Sequence, residues 1–334
     1  MGASARDAHP PVNPLMRAIL ALFAAPRINM REDYEKVRRA QRALSWVPRD
    51  PERIFDQSVT AHGGHEIPLR IFLPRTPTRK GVLLFFHGGG WTIGDIDTYA
   101  ATCRTMAEMT GQVVCSVGYR LAPEHPYPAG LEDCLEVAET MLAHPELAEV
   151  DGPQDITLVG DSAGGNLVAA VTLALRARGS ALPGAQILLY PVTQWDHDPQ
   201  TSPFPSVTEY GTGLRLTAAE VSDYVAMYQP EPELRSSPLI SPLLAEDLSG
   251  LPRTLVLTAE YDLLRDEGEA FGAALRAAGT PVRVERVDGA LHGFIALPRI
   301  SRHVGAAYDL INDFLDGGMA ETRTLDVPLA GQPR

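Results

Sequence analysis

The stretch Gly160-Asp161-Ser162-Ala163-Gly164 decides the fold of this chain. An apolar run at 156–159 precedes it and predicts a buried strand, and a helix-forming run follows at 166–178. A G-x-S-x-G turn between a strand and a helix holds Ser162 in a tight bend, with its hydroxyl projecting from the fold. Glycine is needed two residues on either side because larger side chains would collide there. The helix then directs its N-terminal amides at the serine.

Apolar runs and helical patterns alternate along most of the chain, which predicts a parallel sheet covered by helices on both faces. The expected strands lie at 82–86, 113–117, 156–159, 187–190, 254–258 and 282–287. The expected helices lie at 99–110, 130–142, 166–178, 266–278 and 304–315. We expect about eight strands in total, because residues 55–73 read as an additional hairpin that turns at Gly63-Gly64.

The chain divides into a core, a cap and two ends. Two amphipathic helices, at 15–24 and 31–44, place residues 1–54 in an N-terminal part that contributes to the cap. The expected cap contacts with the substrate are Leu15, Met16, Ile19, Leu20 and the face of residues 221–228. Residues 193–251 are long, rich in Pro and Ser and carry one good helix at 217–228, which favours an inserted cap over a loop. The core then comprises residues 55–192 and 252–316, and we expect the tail, residues 317–334, to be disordered.

Composition restricts the partners and the compartment. The 334 residues carry a net charge of -13, which argues against nucleic acid and anionic membranes as partners. No apolar run is long enough to span a membrane. The three cysteines form no C-x-x-C pair, and we expect reduced thiols in a cytoplasmic protein. Residues 18–25 also resemble a signal-peptide core, but Asp7 and the prolines upstream favour a helix of the mature protein.

An activated serine needs a base and an acid, and both have candidates after predicted strands. His292 is the candidate base, because it follows the last strand and precedes a glycine. His87 and His125 are weaker candidates, since both precede the serine in the chain. Asp262 is the candidate acid, although four acidic residues crowd this segment. The order Ser162, Asp262, His292 is that of α/β hydrolases.

The glycine run His87-Gly88-Gly89-Gly90-Trp91 is the candidate oxyanion site. Glycines let the backbone approach a substrate, so we expect the amides of Gly88, Gly89 and Ala163 to bind the developing negative charge. A flexible turn is the alternative interpretation. A phosphate-binding loop is less favoured, because the lysine and the serine or threonine of a P-loop are missing.

The motifs together resemble the hormone-sensitive-lipase family of bacterial carboxylesterases, and the Asp-Ser-Ala elbow resembles its GDSAG subgroup. The resemblance covers about residues 55–316 and includes segments 87–91, 119–129, 160–165, 262–268 and 292–294. It implies an α/β-hydrolase core, a helical cap, short- to medium-chain acyl esters as substrates and a dimer formed through an edge strand. It also implies the catalytic and oxyanion residues named above. Leu263 departs from the family pattern, which usually has proline there.

We therefore expect a serine carboxylesterase that forms an acyl-enzyme and needs no cofactor or metal. An amidase or arylformamidase with the same triad is the first alternative. A ligand receptor on an inactive hydrolase fold is the second, although an intact triad argues against it. A true lipase is the third, and the acidic surface argues against it.

Two further segments are interpreted as structural. The 119–129 segment, which contains Glu124 and His125, is expected to buttress the site. Asp196-His197-Asp198 resembles a metal cluster, but a solvated loop in the cap is favoured because no further ligands recur nearby at metal spacing.

Overall fold

The computed structural model describes residues 29–45, 50 and 52–321. Eight strands form one sheet in the order β1-β2-β4-β3-β5-β6-β7-β8. The strands are β1 Ile54–Thr60, β2 Glu66–Phe72, β3 Val82–Phe86, β4 Val113–Val117, β5 Ile156–Asp161, β6 Ala185–Leu189, β7 Arg253–Tyr261 and β8 Val282–Leu291. The strands from β4 to β8 in this order run parallel, whereas β2 is antiparallel to both β1 and β4. The predicted mostly parallel sheet and its N-terminal hairpin are confirmed.

Helices cover both faces of the sheet, and this explains the continuous apolar runs. The helices are α1 Met30–Leu44, α2 Ala100–Thr110, α3 Ala129–Ala143, α4 Ala163–Arg178, α5 Pro205–Tyr210, α6 Ala218–Tyr228, α7 Arg265–Ala277 and α8 Arg302–Leu315. Successive side chains of β3 point to opposite faces, so Leu84 joins one apolar cluster while Leu83 and Phe85 join the other. Every residue of β3 is buried.

A long segment, residues 190–252, connects β6 to β7. It contains α5 and α6, and α6 begins with a capping box in which Thr217 and Glu220 bond to each other's backbone amides. Helix α1 packs against α6, and an ion pair joins Arg31 Nε to Asp223 Oδ1 at 2.6 Å. The expected helix at 15–24 lies outside the described residues. Within the described part of the chain, no helix is long and apolar enough to cross a membrane.

The parallel strands end at one edge of the sheet, and this edge gathers the candidate site residues. Strand β3 ends one residue before His87, and β5 ends at Asp161, directly before Ser162. Strand β7 ends directly before Asp262, and β8 ends directly before His292. Segments that lie far apart in the sequence therefore meet at the carboxyl edge, where such sheets place their sites.

Candidate active site

Ser162 lies at the turn between β5 and α4 in a strained backbone conformation. Its φ is 54° and its ψ is -121°, values that a non-glycine residue adopts only when its surroundings impose them. A Cβ on Gly160 would lie 2.2 Å from the carbonyl oxygen of Gly164, and a Cβ on Gly164 would lie 2.0 Å from that of Phe86. Both glycines are therefore required by close approach of the backbone. The Ser162 amide donates to the Leu189 carbonyl at 2.8 Å and fixes the turn to β6.

The structure brings Ser162, His292 and Asp262 into one hydrogen-bonded line. His292 Nε2 lies 3.0 Å from Ser162 Oγ, and His292 Nδ1 lies 2.7 Å from Asp262 Oδ2. The second carboxylate oxygen of Asp262 accepts the Leu264 amide at 3.1 Å. Tyr190 packs edge-on against the imidazole, with ring centroids 4.9 Å apart. This geometry suits proton transfer from the serine to the imidazole, with the carboxylate orienting the ring.

Asp266 is one of the four acidic residues in the segment around Asp262, and its side chain holds other elements of the fold together. Asp266 Oδ2 accepts the Ser206 amide at 2.8 Å, and Asp266 Oδ1 pairs with Arg265 Nε at 2.7 Å. The bond from Ser206 fastens α5 to the first turn of α7. Asp266 therefore holds α5 rather than the imidazole.

The expectation for the Gly88 amide is corrected by the structure. This amide donates to Asp161 Oδ1 at 2.8 Å, so it is not available to a substrate. Sequence reasoning treated Asp161 only as part of the turn motif. Its carboxylate also accepts the Tyr99 hydroxyl at 3.1 Å and the Tyr190 hydroxyl at 3.4 Å. Asp161 thus fixes the position of residues 87–91, the glycine loop.

Burial governs the charge of Asp161. The side chain is 3% exposed, and burial raises the pKa of its carboxyl to about 6, opposed by the bond from the Gly88 amide. The same effect acts on His87 with the opposite sign, because burial lowers the pKa of that imidazole to about 4. His87 is therefore neutral near pH 7, and its Nδ1 donates to the Gly88 carbonyl at 2.8 Å.

Of the expected oxyanion donors, the Gly89 and Ala163 amides stay candidates, and the structure adds the Gly90 amide. Among the described residues, none of the three donates to another backbone group outside regular helix and strand bonding. Gly89 and Gly90 line the pocket above Ser162, whereas Gly88 does not. Gly90 was missed in the sequence, because nothing in a run of three glycines shows which amide Asp161 occupies.

Gly90 is also the point where α6 meets the glycine loop. Its φ is +59°, and a Cβ added there would lie 2.2 Å from the ring of Tyr224 on α6. The adjacent Trp91 stacks on Tyr228 of the same helix, with ring centroids 4.4 Å apart. Packing of α6 against the loop therefore requires a residue without a side chain at position 90.

The 119–129 segment forms a buttress, as its sequence suggested. Tyr119 stacks on His87 with ring centroids 4.3 Å apart and donates its hydroxyl to the His87 carbonyl at 2.6 Å. Glu124 accepts two hydrogen bonds from Arg38 of α1, at 2.7 and 3.0 Å. Arg38 also donates to the carbonyls of Thr92 and Ala122, at 2.7 and 2.8 Å. One arginine therefore joins α1 to both loops that shape the site.

The expectation of a solvated segment at 196–198 is wrong for its histidine. His197 is 1% exposed, and its Nε2 lies 2.7 Å from Glu267 Oε2. Glu267 Oε1 also accepts the Thr193 amide at 2.6 Å, so the pair fastens the start of the cap to α7. Among the described residues, no group of three or more His, Cys, Asp or Glu is arranged to hold a metal ion.

A pocket of about 160 Å³ opens above Ser162 and His292. Its walls come from the glycine loop, from Gln41 of α1, and from Val221 and Tyr224 of α6. The expected contact face of α6 is therefore present at the pocket. The other expected cap contacts, Leu15, Met16, Ile19 and Leu20, lie outside the described residues.

Comparison with known proteins gives a family and several esterases. A family model described as the α/β hydrolase fold matches residues 83–296. Carboxylic ester hydrolase LipN of Mycobacterium tuberculosis is 37% identical over 297 residues, which are 86% of this chain and 77% of that protein. The arylesterase of Saccharolobus solfataricus is 36% identical over 300 residues, which are 88% of this chain and 95% of that protein.

Solved esterase structures have the same fold over almost the whole chain. A hyperthermophilic esterase from Pyrobaculum calidifontis superimposes with a TM-score of 0.79 at 34% identity, covering 93% of this chain and 100% of its own. The thermostable carboxylesterase EstE1, cloned from a metagenomic library, superimposes with a TM-score of 0.77 at 33% identity. The match covers 88% of this chain and 98% of EstE1.

Proposed function

Because the chain belongs to the hormone-sensitive-lipase family of α/β hydrolases, we propose that it hydrolyses carboxylic esters with Ser162 as nucleophile, His292 as base and Asp262 as orienting acid. The observation that carries this proposal is the continuous hydrogen-bonded line from Ser162 Oγ through His292 to Asp262. Relatives named as esterases support the reaction type, and the hydrogen-bond geometry supports the roles proposed for these three residues.

The reaction proceeds in two halves. His292 Nε2 takes the proton of Ser162 as its oxygen attacks the ester carbonyl carbon, and the carbonyl oxygen becomes an oxyanion. His292 then gives that proton to the leaving alcohol oxygen as the carbon–oxygen bond breaks, which leaves an acyl-serine. Water, deprotonated by the same imidazole, attacks the acyl-serine. The carboxylic acid departs and Ser162 regains its proton.

The oxyanion is bound by the amides of Gly89, Gly90 and Ala163. Ala163 is the first residue of α4, so its amide has no acceptor within the helix. This amide also lies at the positive end of the helix dipole. Removal of one such donor typically costs about 3 kcal/mol in the barrier. Asp161 contributes indirectly, because its bond to the Gly88 amide fixes the loop that carries the next two amides.

Short- to medium-chain acyl groups are the proposed substrates. The pocket volume of about 160 Å³ is small for a binding site, since pockets for drug-sized ligands start near roughly 300 Å³. Helix α1 and residues 193–251 form the proposed cap over this pocket.

The compartment proposed is the cytoplasm, supported by three free and buried cysteines. A homodimer through an edge strand is proposed from the family resemblance.

A hydrolysis screen tests the proposed activity. Esters of acetate, butyrate, octanoate and palmitate with one chromogenic alcohol are compared with an anilide of butyrate. The proposal expects the highest kcat/KM at about four to eight acyl carbons, little turnover of the anilide, and none by Ser162→Ala. Faster cleavage of the anilide than of the butyrate ester would instead identify an amidase.

A further inference from the structure

Arg215 is a charged residue in the wall of the pocket, and it pairs with no carboxylate among the described residues. It lies in the cap segment just before α6 and lines the pocket together with Ser162 and His292. Among the described residues, it forms no ion pair, and its one hydrogen bond is a long contact of 3.5 Å from Nη1 to the Gly293 carbonyl. A guanidinium has five N–H donors, so most of those of Arg215 remain available to a ligand.

The position of this cation is unusual for such an acidic protein. The net charge is -13, and many of the arginines near the site are paired, as Arg38 is with Glu124. The acidic residue that lines the pocket is Asp161, but its carboxylate is buried and bonded to Gly88 and Tyr99. The accessible charge at the mouth is therefore positive, and it favours an anionic group on the bound molecule.

The backbone beside the catalytic histidine leaves room for this guanidinium. A Cβ added to Gly293 would lie 3.3 Å from Arg215 Cζ, so the guanidinium packs against the residue that follows His292. The proposed reaction requires His292 Nε2 to reach the leaving oxygen. Arg215 thus lies on the leaving-alcohol side of the pocket, whereas the glycine loop lies on the oxyanion side.

A second polar group faces the same pocket. Gln41 of α1 lines it, and the Oε1 atom of its side chain is buried with no hydrogen-bond partner among the described residues. An amide oxygen buried without a partner is costly, and a ligand N–H or O–H that donates to it removes the cost. Gln41 and Arg215 reach the pocket from different elements, so a polar substituent is expected on the substrate.

We propose that this enzyme prefers esters whose alcohol portion carries a carboxylate, which Arg215 binds at the mouth of the pocket. The proposal deepens the proposed function and rests on it. Charge-assisted bonds from a guanidinium to a carboxylate suit this role, because two parallel N–H donors match two oxygens. Since the bond is made in the ground state and the transition state alike, it lowers KM more than it raises kcat.

Matched acetyl esters test the proposal. The substrates are 3- and 4-acetoxybenzoate, each compared with the corresponding acetoxybenzamide, which has the same shape and no charge. We expect the wild-type enzyme to show a kcat/KM about tenfold higher for the benzoates, mainly through KM. Within the Arg215→Gln variant, the ratio of benzoate to benzamide kcat/KM is expected to fall to about one, and Arg215→Lys is expected to keep part of the preference.

Arg75→Gln is the control for a change in overall charge. Arg75 lies just beyond the end of β2, which runs antiparallel to β4, so it lies at the edge of the sheet opposite the site. The Arg75→Gln variant is expected to keep the full preference for benzoates over benzamides. Equal efficiency on benzoates and benzamides in the wild type, or an equal preference in Arg215→Gln, overturns the proposal. If no acetyl ester is hydrolysed at all, the proposed function itself is overturned.

Discussion

The Asp161 carboxylate accepts the backbone amide of Gly88 at 2.8 Å, and this one bond decides which amides of the glycine loop can face a substrate. The residue before the nucleophile thus acts on the loop after β3 rather than on the serine. Two hydroxyls, of Tyr99 and Tyr190, complete its environment. The motif around Ser162 consequently positions both the proposed nucleophile and the loop that carries two of the proposed oxyanion donors.

Asp161→Asn is expected to gain stability relative to the wild type as the pH rises. The pKa of Asp161 is raised to about 6 in the fold, so the folded state holds this proton more tightly than the unfolded state. The stability that it contributes is present below about pH 4 and is lost as the pH rises to about 6. Over this pH range, the free energy of unfolding of Asp161→Asn should rise relative to that of the wild type by roughly 3 kcal/mol. Urea unfolding of both proteins between pH 4 and 7 measures it, and a pH-independent difference would contradict this assignment.

Asp262→Asn is expected to lower kcat by about four orders of magnitude, as for triad acids elsewhere, because His292 would lose its orienting partner. The matched control is Asp266→Asn, which keeps one acceptor oxygen but loses the other and the negative charge that pairs with Arg265. That variant should lose roughly 1–3 kcal/mol of stability and keep most of its turnover. The reverse pattern, with turnover lost only in Asp266→Asn, would show that the acid has been misassigned.

Arg38→Ala is expected to loosen α1 from the active-site loops. It removes hydrogen bonds to Thr92, Ala122 and Glu124, so the free energy of unfolding should fall by roughly 2 kcal/mol. KM should rise, since α1 also carries Gln41 to the pocket. Arg39→Ala is the control on the same helix, because the Arg39 side chain is 68% exposed and its one ion pair within the described part of the chain is with Glu35. Equal effects of the two variants on unfolding and KM would argue against the cap role of α1.

Gly90→Ala is expected to lower kcat/KM by about 100-fold or more, because the new methyl group would collide with the Tyr224 ring and displace either the loop or α6. Tyr224→Ala in that background should recover part of the loss, and the remaining cost is the positive φ at position 90, about 1–2 kcal/mol. The single variant Tyr224→Ala completes the double-mutant cycle. Strict additivity of the two changes would show that this contact does not limit activity.

Much of the framework could be predicted from local patterns. Strands β3 and β4 begin and end where their apolar runs do, and helix α1 begins one residue early. Strands β7 and β8 extend further than expected, because parallel pairing continues past the apolar run as far as Tyr261 and Leu291. Periodicity reports burial and not the end of a hydrogen-bond ladder, so such ends stay hidden in the sequence.

The site residues likewise fall into those that local sequence patterns predict and those that only the folded structure brings together. Ser162, Asp262 and His292 could be named because each directly follows a strand of a parallel sheet. The bond from Gly88 to Asp161 could not, since it joins two segments 73 residues apart. Arg215 also belongs to no motif, and only the folded cap places it beside Gly293. Contacts between distant segments therefore decide the details of recognition, while the local motifs decide the chemistry.

Covalent labelling of Ser162 tests the central claim most directly. The folded protein is treated with a fluorophosphonate, and the modified peptide is mapped by mass spectrometry, with His292→Ala and Ser162→Ala as controls. The proposed triad predicts one added group per chain, located on Ser162, together with complete loss of esterase activity. Labelling should be much slower in His292→Ala and absent in Ser162→Ala. Modification of another residue with loss of activity, or full esterase activity in Ser162→Ala, would contradict the proposed mechanism.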